Sequence, residues 1–299
     1  MRVSDNQRFR LSENRVNQAK ASNTGKMVEL TTQKRINRVS DDPVGLGRVI
    51  KNRAALSDIG QYKKNIEFTK GYIERTESSL QGISDFLIRA KELSISLANG
   101  TYAEDSRKAA GEEIGEIIDG VVGLANTQYN NRYVFGGFRT QTPPVSHDGN
   151  FLGDDGVIFL QVDRGVFRKI NIQARELFEP SASERGAGRF GMVQTLKIFE
   201  EGLLDDNIQM IRKAMDELDL QMEKVTNAQA ILGGIHSGID NTLRRLEISD
   251  ELTNQEISTI EDSDTFEAIS NFKKTEDILQ STLMASNKLL QPSLLNFMQ

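Results

Sequence analysis

Residues 208–246, IQMIRKAMDELDLQMEKVTNAQAILGGIHSGIDNTLRRL, decide how this chain of 299 residues reads. Apolar side chains recur there at alternating steps of three and four: Ile208, Ile211, Met215, Leu218, Met222, Val225, Leu232, Ile239, Leu243 and Leu246. Gln229 and His236 fill the remaining slots. This is the seam of a long helix that packs on other helices, because one helix cannot bury a heptad stripe alone. Polar residues on such a seam set register and partner number at some cost in stability.

Working outward, a matching helix is expected in the N-terminal half. Asp42-Pro43 starts it, with Asp as the N-cap and Pro at the first helical position. Its stripe is Leu56, Ile59, Ile66, Ile73, Leu80, Ile83, Leu87, Ala90 and Leu97, with Ser94 as the polar member, up to about Ala98. A helix of that length would span roughly 80 Å. Asn99-Gly100 ends it, and Thr101 with Glu104 forms a capping box that restarts it. Ala110, Ile114, Ile117, Val121 and Leu124 carry the next seam to about Tyr129, and the short connection predicts an antiparallel pair.

The centre reads differently. Pro143-Pro144, Asp148-Gly149, Asp155-Gly156 and Asp163-Arg164-Gly165 are turn signals. The runs VIFLQV and VFRKINI between them predict a β-hairpin over Val157–Ile172. Helix returns at Phe190–Glu200.

The two ends complement each other. Residues 1–53 hold 12 Lys/Arg against 5 Asp/Glu, and residues 247–277 hold 10 Asp/Glu against 2 Lys. The first arm, about residues 4–35, has a thin stripe of Val16, Ala19, Met27 and Leu30 with Asn23 intruding. A break follows at Asn37–Asp42, and a mirrored one at Ser258–Asp264. Asp264 and Glu267 form another capping box, and the last helix carries Ile269, Phe272, Leu279, Leu283 and Leu290 before the apolar tail with Leu294 and Leu295. The expected fold is mainly α: a long antiparallel, coiled-coil-like helical rod with a small central β module. Residues 43–132 and 190–262 form the halves of the rod, and 133–189 the β module. Residues 1–42 and 263–299 pair as polymerisation helices. The arm residues named are the candidate assembly interface, and Asp42, Pro43, Asp264 and Glu267 its hinges.

Chemistry is sparse. With no cysteine, disulfides and Cys-ligated metal sites are excluded. His147 and His236 fall in different predicted modules, and Asp41-Asp42 reads as capping rather than as a metal site. No Ser-His-Asp set or phosphate loop appears, so no catalytic, cofactor or metal residue is assigned. Gly111, Gly115, Gly120 and Gly123 mark close helix packing. A net charge of −6 does not suggest nucleic acid. The opening MRVSDNQRFRLSENRVNQAK has no apolar stretch of signal-peptide type, and no window suits a membrane span.

In order along the chain, MRVSDNQRF, KRINRVSDDPVGLGRV, NRYVFGGFRTQTPPV, FLGDDGVIFLQVDRGVFRKINI, ISTIEDSDTFEAI and LLQPSLLNFM resemble segments of the flagellin-like proteins of bacterial flagella. More narrowly they resemble the hook–filament junction branch, the hook-associated protein 3 group. Filament flagellin is the near alternative; YVFGG, TPPV and the short β insert favour the junction branch. One departure stands at Thr32-Gln33, where the family often has Ser-Gly. Without that Gly no sharp turn is expected, and the first helix is expected to run on. The resemblance implies an extracellular, non-catalytic structural adaptor, exported unfolded without a cleaved signal, its C-terminal arm covered by an export chaperone beforehand. It implies a ring of about a dozen copies, with hook-associated protein 1 below and flagellin above. A different class, a cytosolic coiled-coil adaptor, would be a stable dimer with both arms ordered. An enzyme in the β module would need a pocket where His147 meets carboxylates.

Overall fold

The structure is a computed structural model that describes the backbone of residues 2–98 and 103–295 and the side chains of 6–98 and 103–288. Its elements in order are α1 (Arg2–Thr32), α2 (Pro43–Leu97), α3 (Glu104–Ala125), β1 (Gln128–Tyr129), β2 (Arg132–Tyr133), β3 (Phe159–Asp163), β4 (Val166–Lys169), α4 (Arg175–Phe178), α5 (Ala182–Gly186), α6 (Met192–Leu204), α7 (Ile208–Glu261) and α8 (Thr265–Leu295). The chain divides into two units, one of residues 1–58 with 248–299 and one of residues 59–247. The fold is mainly α, with two small two-stranded sheets.

In the second unit α2 and α7 run antiparallel. Lys91 meets Met215 O (3.0 Å) and Asp219 (2.8 Å), Gln81 meets Gln229 (3.4 Å), and Lys70 meets Asp240 (2.6 Å). The buried column of α2 repeats every seven residues, at Ile59, Ile66, Ile73, Leu80, Leu87 and Ser94. On α7 the column Ile211, Leu218, Val225, Leu232, Ile239 and Leu246 does the same. The companion column of α7 differs from the sequence expectation. Ala214, Gln221, Ala228 and Thr242 are buried there, while Met215, Met222, Gln229, His236 and Leu243 are half-buried at its flank. The segment from Glu184 to Phe190 meets α7 there: Gln221 donates to Phe190 O (3.1 Å), Arg189 pairs with Glu217 (3.3 Å) and Lys224 with Glu184 (2.8 Å). Buried hydroxyls are satisfied by their own helices: Thr69, Thr76 and Thr242 each donate to the carbonyl four residues back, at 2.8, 2.8 and 3.0 Å.

α3 folds back along α2, with Arg89 bonded to Glu113 at 2.7 Å. A Cβ at Gly120 would lie 2.5 Å from the Phe86 ring, and one at Gly111 3.0 Å from Leu204 of α6. Those glycines do mark close helix packing, whereas nothing lies within 4 Å of a Cβ at Gly123. The capping box expected at Glu104 is absent: Glu104 is the first helical residue, the N-cap is Ala103, and no side chain caps it. Asn99, Gly100 and Thr101 lie outside the described residues.

α3 stops at Ala125, earlier than expected, because the chain turns at once into the β1–β2 hairpin. Asn130 and Asn131 (φ 47° and 61°) make that turn, Asn being a residue that tolerates the left-handed region. Tyr72 Oη donates to Val134 O at 2.6 Å, and Asn126 bonds both backbone groups of Val145. Phe135 and Phe178 meet edge to face at 5.6 Å. The hairpin read from the sequence is β3–β4, turned at Arg164-Gly165 with a bulge between Gln161 and Asp163. It is braced on the long helices: Asn65 donates to Gln161 O (2.7 Å), Arg245 pairs with Asp163 (2.8 Å), and Val162 is fully buried.

α1 ends at Thr32 and does not run on, contrary to the reading of Thr32-Gln33. Gln33 takes the left-handed conformation (φ 56°) that glycine adopts most readily. The turn is held by backbone pairing with the α7–α8 link: Ser263 N–H donates to Gln33 O (3.0 Å) and Arg35 N–H to Glu261 O (2.8 Å). Pairing across the two links therefore imposes the turn without a glycine.

Candidate assembly interface

In the first unit α1 and α8 lie antiparallel, with Ser12 bonded to Ser286 (2.7 Å), Asn23 to Thr275 (3.5 Å) and Glu29 to Ser263 (3.0 Å). Six half-buried positions of α1 follow a heptad, Ser12, Val16, Ala19, Asn23, Lys26 and Leu30, and Val28 and Glu29 are half-buried beside them. Facing them are Ala268, Phe272, Thr275, Leu279, Thr282 and Ser286. Of the sequence-assigned residues, Val16, Ala19, Leu30, Phe272 and Leu279 thus lie on this seam, and Met27, Ile269 and Leu283 lie off it, 53 %, 42 % and 43 % exposed. The side chains of Leu290, Leu294 and Leu295 fall outside the described residues.

A seam this polar buries little. Among the described residues of this unit the buried apolar side chains are Ile36, Val49 and Ala268. Exposed instead are Phe9, Leu11, Val39, Val44, Ile50, Ile248, Leu252, Phe266, Ile278 and Met284, besides Met27, Ile269 and Leu283. One apolar stripe per helix does not include these residues, which lie off the α1–α8 seam. Covering such side chains contributes roughly 1–2 kcal/mol each, on the order of 13–26 kcal/mol together, against an association cost of roughly 4–15 kcal/mol. Among its described residues the unit exposes more large apolar side chains than it buries.

The two links are built by capping and charge. Asp42 accepts from Gly45 N–H (2.8 Å) with Pro43 opening α2. Asp264 accepts from Phe266 and Glu267 N–H (2.8 and 3.3 Å), which gives the forward half of the expected box with Glu267 at the third helical position. Asp41 accepts from Arg38 and Asn37 N–H (2.8 and 3.0 Å), and these bonds hold its carboxyl below the usual value. Both carboxylates of the Asp41-Asp42 pair are therefore occupied by backbone donors. Glu261, which opens an acidic run that the sequence reads as capping rather than as a metal site, is the hub. It is buried and pairs with Lys34 (2.8 Å) and Arg53 (2.6 Å). Burial pushes its pKa up, but the Lys34 hydrogen bond and the Arg53 charge outweigh burial and hold it below the ordinary value. The opposite charges of the two ends meet here.

His147 does meet carboxylates, in an open groove of about 650 Å³ between α3 and α6 lined by Glu112, Glu116, Asp119, Glu200 and Glu201. His147 Nε2 is 3.0 Å from Asp119, with side chains 73 % and 63 % exposed. The lining holds no Ser, Thr or Cys nucleophile and no water-excluded acid or base, so the groove lacks the parts of a hydrolytic site. His236, half-buried, faces Asp240 at 3.7 Å. Among the described residues no three His, Asp or Glu side chains converge as metal ligands, and no helix is long and apolar enough to cross a membrane.

Residues 3–140 match the bacterial flagellin N-terminal helical region, and residues 215–298 match the bacterial flagellin C-terminal helical region. The chain belongs to the flagellin family. Among the relatives of this flagellin-family chain is the flagellar hook-associated protein 3 of Escherichia coli, 26 % identical over 256 residues that cover 84 % of this chain and 79 % of the relative. The filament 31.3 kDa core protein of Treponema maltophilum is 24 % identical, covering 91 % of both. A flagellar hook-associated protein of Vibrio parahaemolyticus shares the fold with a TM-score of 0.68 at 20 % identity, covering 74 % of this chain and all of that one. FlgL of Bacillus cereus shares it with a TM-score of 0.60 at 23 % identity, covering 70 % of this chain and 99 % of that one.

Proposed function

We propose that this flagellin-family chain is a non-catalytic adaptor that joins the flagellar hook to the filament. The observation that carries the reading is the first unit, whose apolar side chains outnumber what α1, α8 and the links bury. Such a unit gains its missing core when neighbouring copies close around it, which couples ordering to assembly. Its likeness to hook-associated protein 3 supports placing it at the junction, as a ring of copies with hook-associated protein 1 below and flagellin above. On this reading the chain reaches the cell exterior through the flagellar export channel, without a cleaved signal, after release from a chaperone on its C-terminal arm. Deleting the chain from its host tests the reading. Hooks without filaments, with flagellin shed into the medium, are expected; normal filaments on the hooks would refute it.

A second reading, the filament subunit itself, is favoured by the filament protein of Treponema maltophilum, which matches over 91 % of both chains. Gold labelling of the chain on isolated flagella separates the two. The junction reading requires label confined to the hook end, and label along the whole filament selects the other.

A further inference from the structure

In the first unit α2 and α7 carry opposite charge where they run side by side. Residues 43–57 of α2 hold Arg48, Lys51 and Arg53 and no acid, and residues 248–261 of α7 hold Asp250, Glu251, Glu256 and Glu261 and no base. The chain uses part of this itself: Arg53 pairs with Glu261 (2.6 Å), and Asn52 donates to Glu256 (3.0 Å). Val49, Asn52 and Leu56 are withdrawn from solvent on α2, and Thr253, Ile257 and Ile260 on α7, which marks the seam between the two helices.

The rest of the charge is left on two outer faces. On α2, Val44, Gly47, Ile50, Lys51 and Ala54 are exposed and lie round the helix from the seam. Nothing lies within 4 Å of a Cβ at Gly47, so Gly47 and Ala54 leave a shallow trough between Val44 and Ile50, which are 68 % and 59 % exposed. On α7, Ile248, Glu251, Leu252 and Gln255 are exposed on the side away from Thr253 and Ile257. Ile248 and Leu252 stand one turn apart as a ridge, 60 % and 56 % exposed. Among the described residues Arg48 and Lys51 have no carboxylate partner, and Glu251 has no cation partner, its carboxylate accepting from Gln255 at 3.4 Å. A basic face with a trough and an acidic face with a ridge match in charge and in shape, apolar centre against apolar centre. Both point away from the shared seam, so one molecule cannot join its own two faces.

We propose that the Ile248–Leu252 ridge of one copy docks in the Val44–Ala54 trough of the next, with Glu251 against Lys51. Copies that point the same way set α7 of one antiparallel to α2 of the next, which puts Ile248 opposite Ala54. The contact joins two different faces, so it passes from copy to copy and closes a ring when the rotation fits. It rests on the reading that the chain assembles with copies of itself, and it names the surfaces that meet. Because the chain has no cysteine, introduced thiols report on this contact alone.

The test is disulfide formation in flagella of cells whose only copy of the chain carries Ala54→Cys with Ile248→Cys, which leaves Lys51 and Glu251 in place. The expected result is a ladder of cross-linked multimers, and none from either single variant. Lys51→Glu, in chains whose helical circular dichroism is unchanged, should weaken the ladder at least tenfold, and adding Glu251→Lys should restore it. Filament growth without the thiols is the second readout: Lys51→Glu should abolish it and the reversed pair should recover it. Filaments on the hooks with no ladder overturn the docking and leave the proposed function standing. A dimer from Ala54→Cys alone also overturns it, since two α2 faces would then meet. So does a ladder, or filament growth, that Lys51→Glu leaves unchanged. Normal filaments in cells that lack the chain altogether overturn the proposed function instead.

Discussion

Gln33 and Glu261 show how single residues shape the links between the arms and the long helices. Gln33 holds a left-handed conformation at φ 56°, which costs a non-glycine residue roughly 1 kcal/mol. Gln33→Gly removes that cost while loosening the unfolded chain, so urea denaturation should show a net gain of about 0.5 kcal/mol. A loss would mean that the Gln side chain contributes something its backbone position does not explain. The Glu261 carboxyl is held below its ordinary value of 4.5 by Lys34 and Arg53. A group with a lowered folded pKa stabilises fully above its unfolded value and loses that contribution as pH falls through the folded one. Acid below about pH 4.5 should therefore loosen the α1–α2 and α7–α8 links, read as faster hydrogen exchange of their amides. Glu261→Gln should loosen them already at pH 7, by about 1 kcal/mol, and flatten that acid dependence. Equal acid sensitivity in the variant would assign the effect to other carboxylates.

At the scale of elements, the long helices were the most legible part of the sequence. Ile211, Leu218, Val225, Leu232, Ile239 and Leu246 repeat so regularly that α7 and its antiparallel packing follow from them. The second column was misread because Ala214, Ala228 and Thr242 are small and Gln221 is polar, and such residues give no hydrophobic signal. α5 and the β1–β2 hairpin went unseen for another reason: segments of two to five residues have no period to detect. In the candidate interface the seam residues Val16, Ala19, Leu30, Phe272 and Leu279 were readable, while Phe9, Leu11, Phe266 and Met284 on the outer faces were not. Leu283 lies on such an outer face, 43 % exposed. Leu283→Glu should accordingly leave urea stability of the free chain within about 0.5 kcal/mol of the parent and abolish assembly into flagella. A variant that assembles normally would remove α8 from the interface.

For the whole molecule, the two units differ in how they reach stability. Residues 59–247 bury Ile66, Ile73, Leu80, Ile114, Phe135, Phe178, Phe199 and Leu218 completely or nearly so, and form a core from their own chain. Residues 1–58 with 248–299 bury three apolar side chains among the described residues and leave many large ones in water. On the proposed reading the chain folds outside the cell after export and completes its arms only among neighbouring copies. Hydrogen exchange by mass spectrometry on the purified full-length chain, and again on isolated flagella, tests this directly. The account predicts that in the free chain the amides of α1 and α8 exchange at least about 100-fold faster than those of α2 and α7 within residues 59–247, and that assembly removes the difference. Arms as strongly protected in the free chain as those long helices would contradict it.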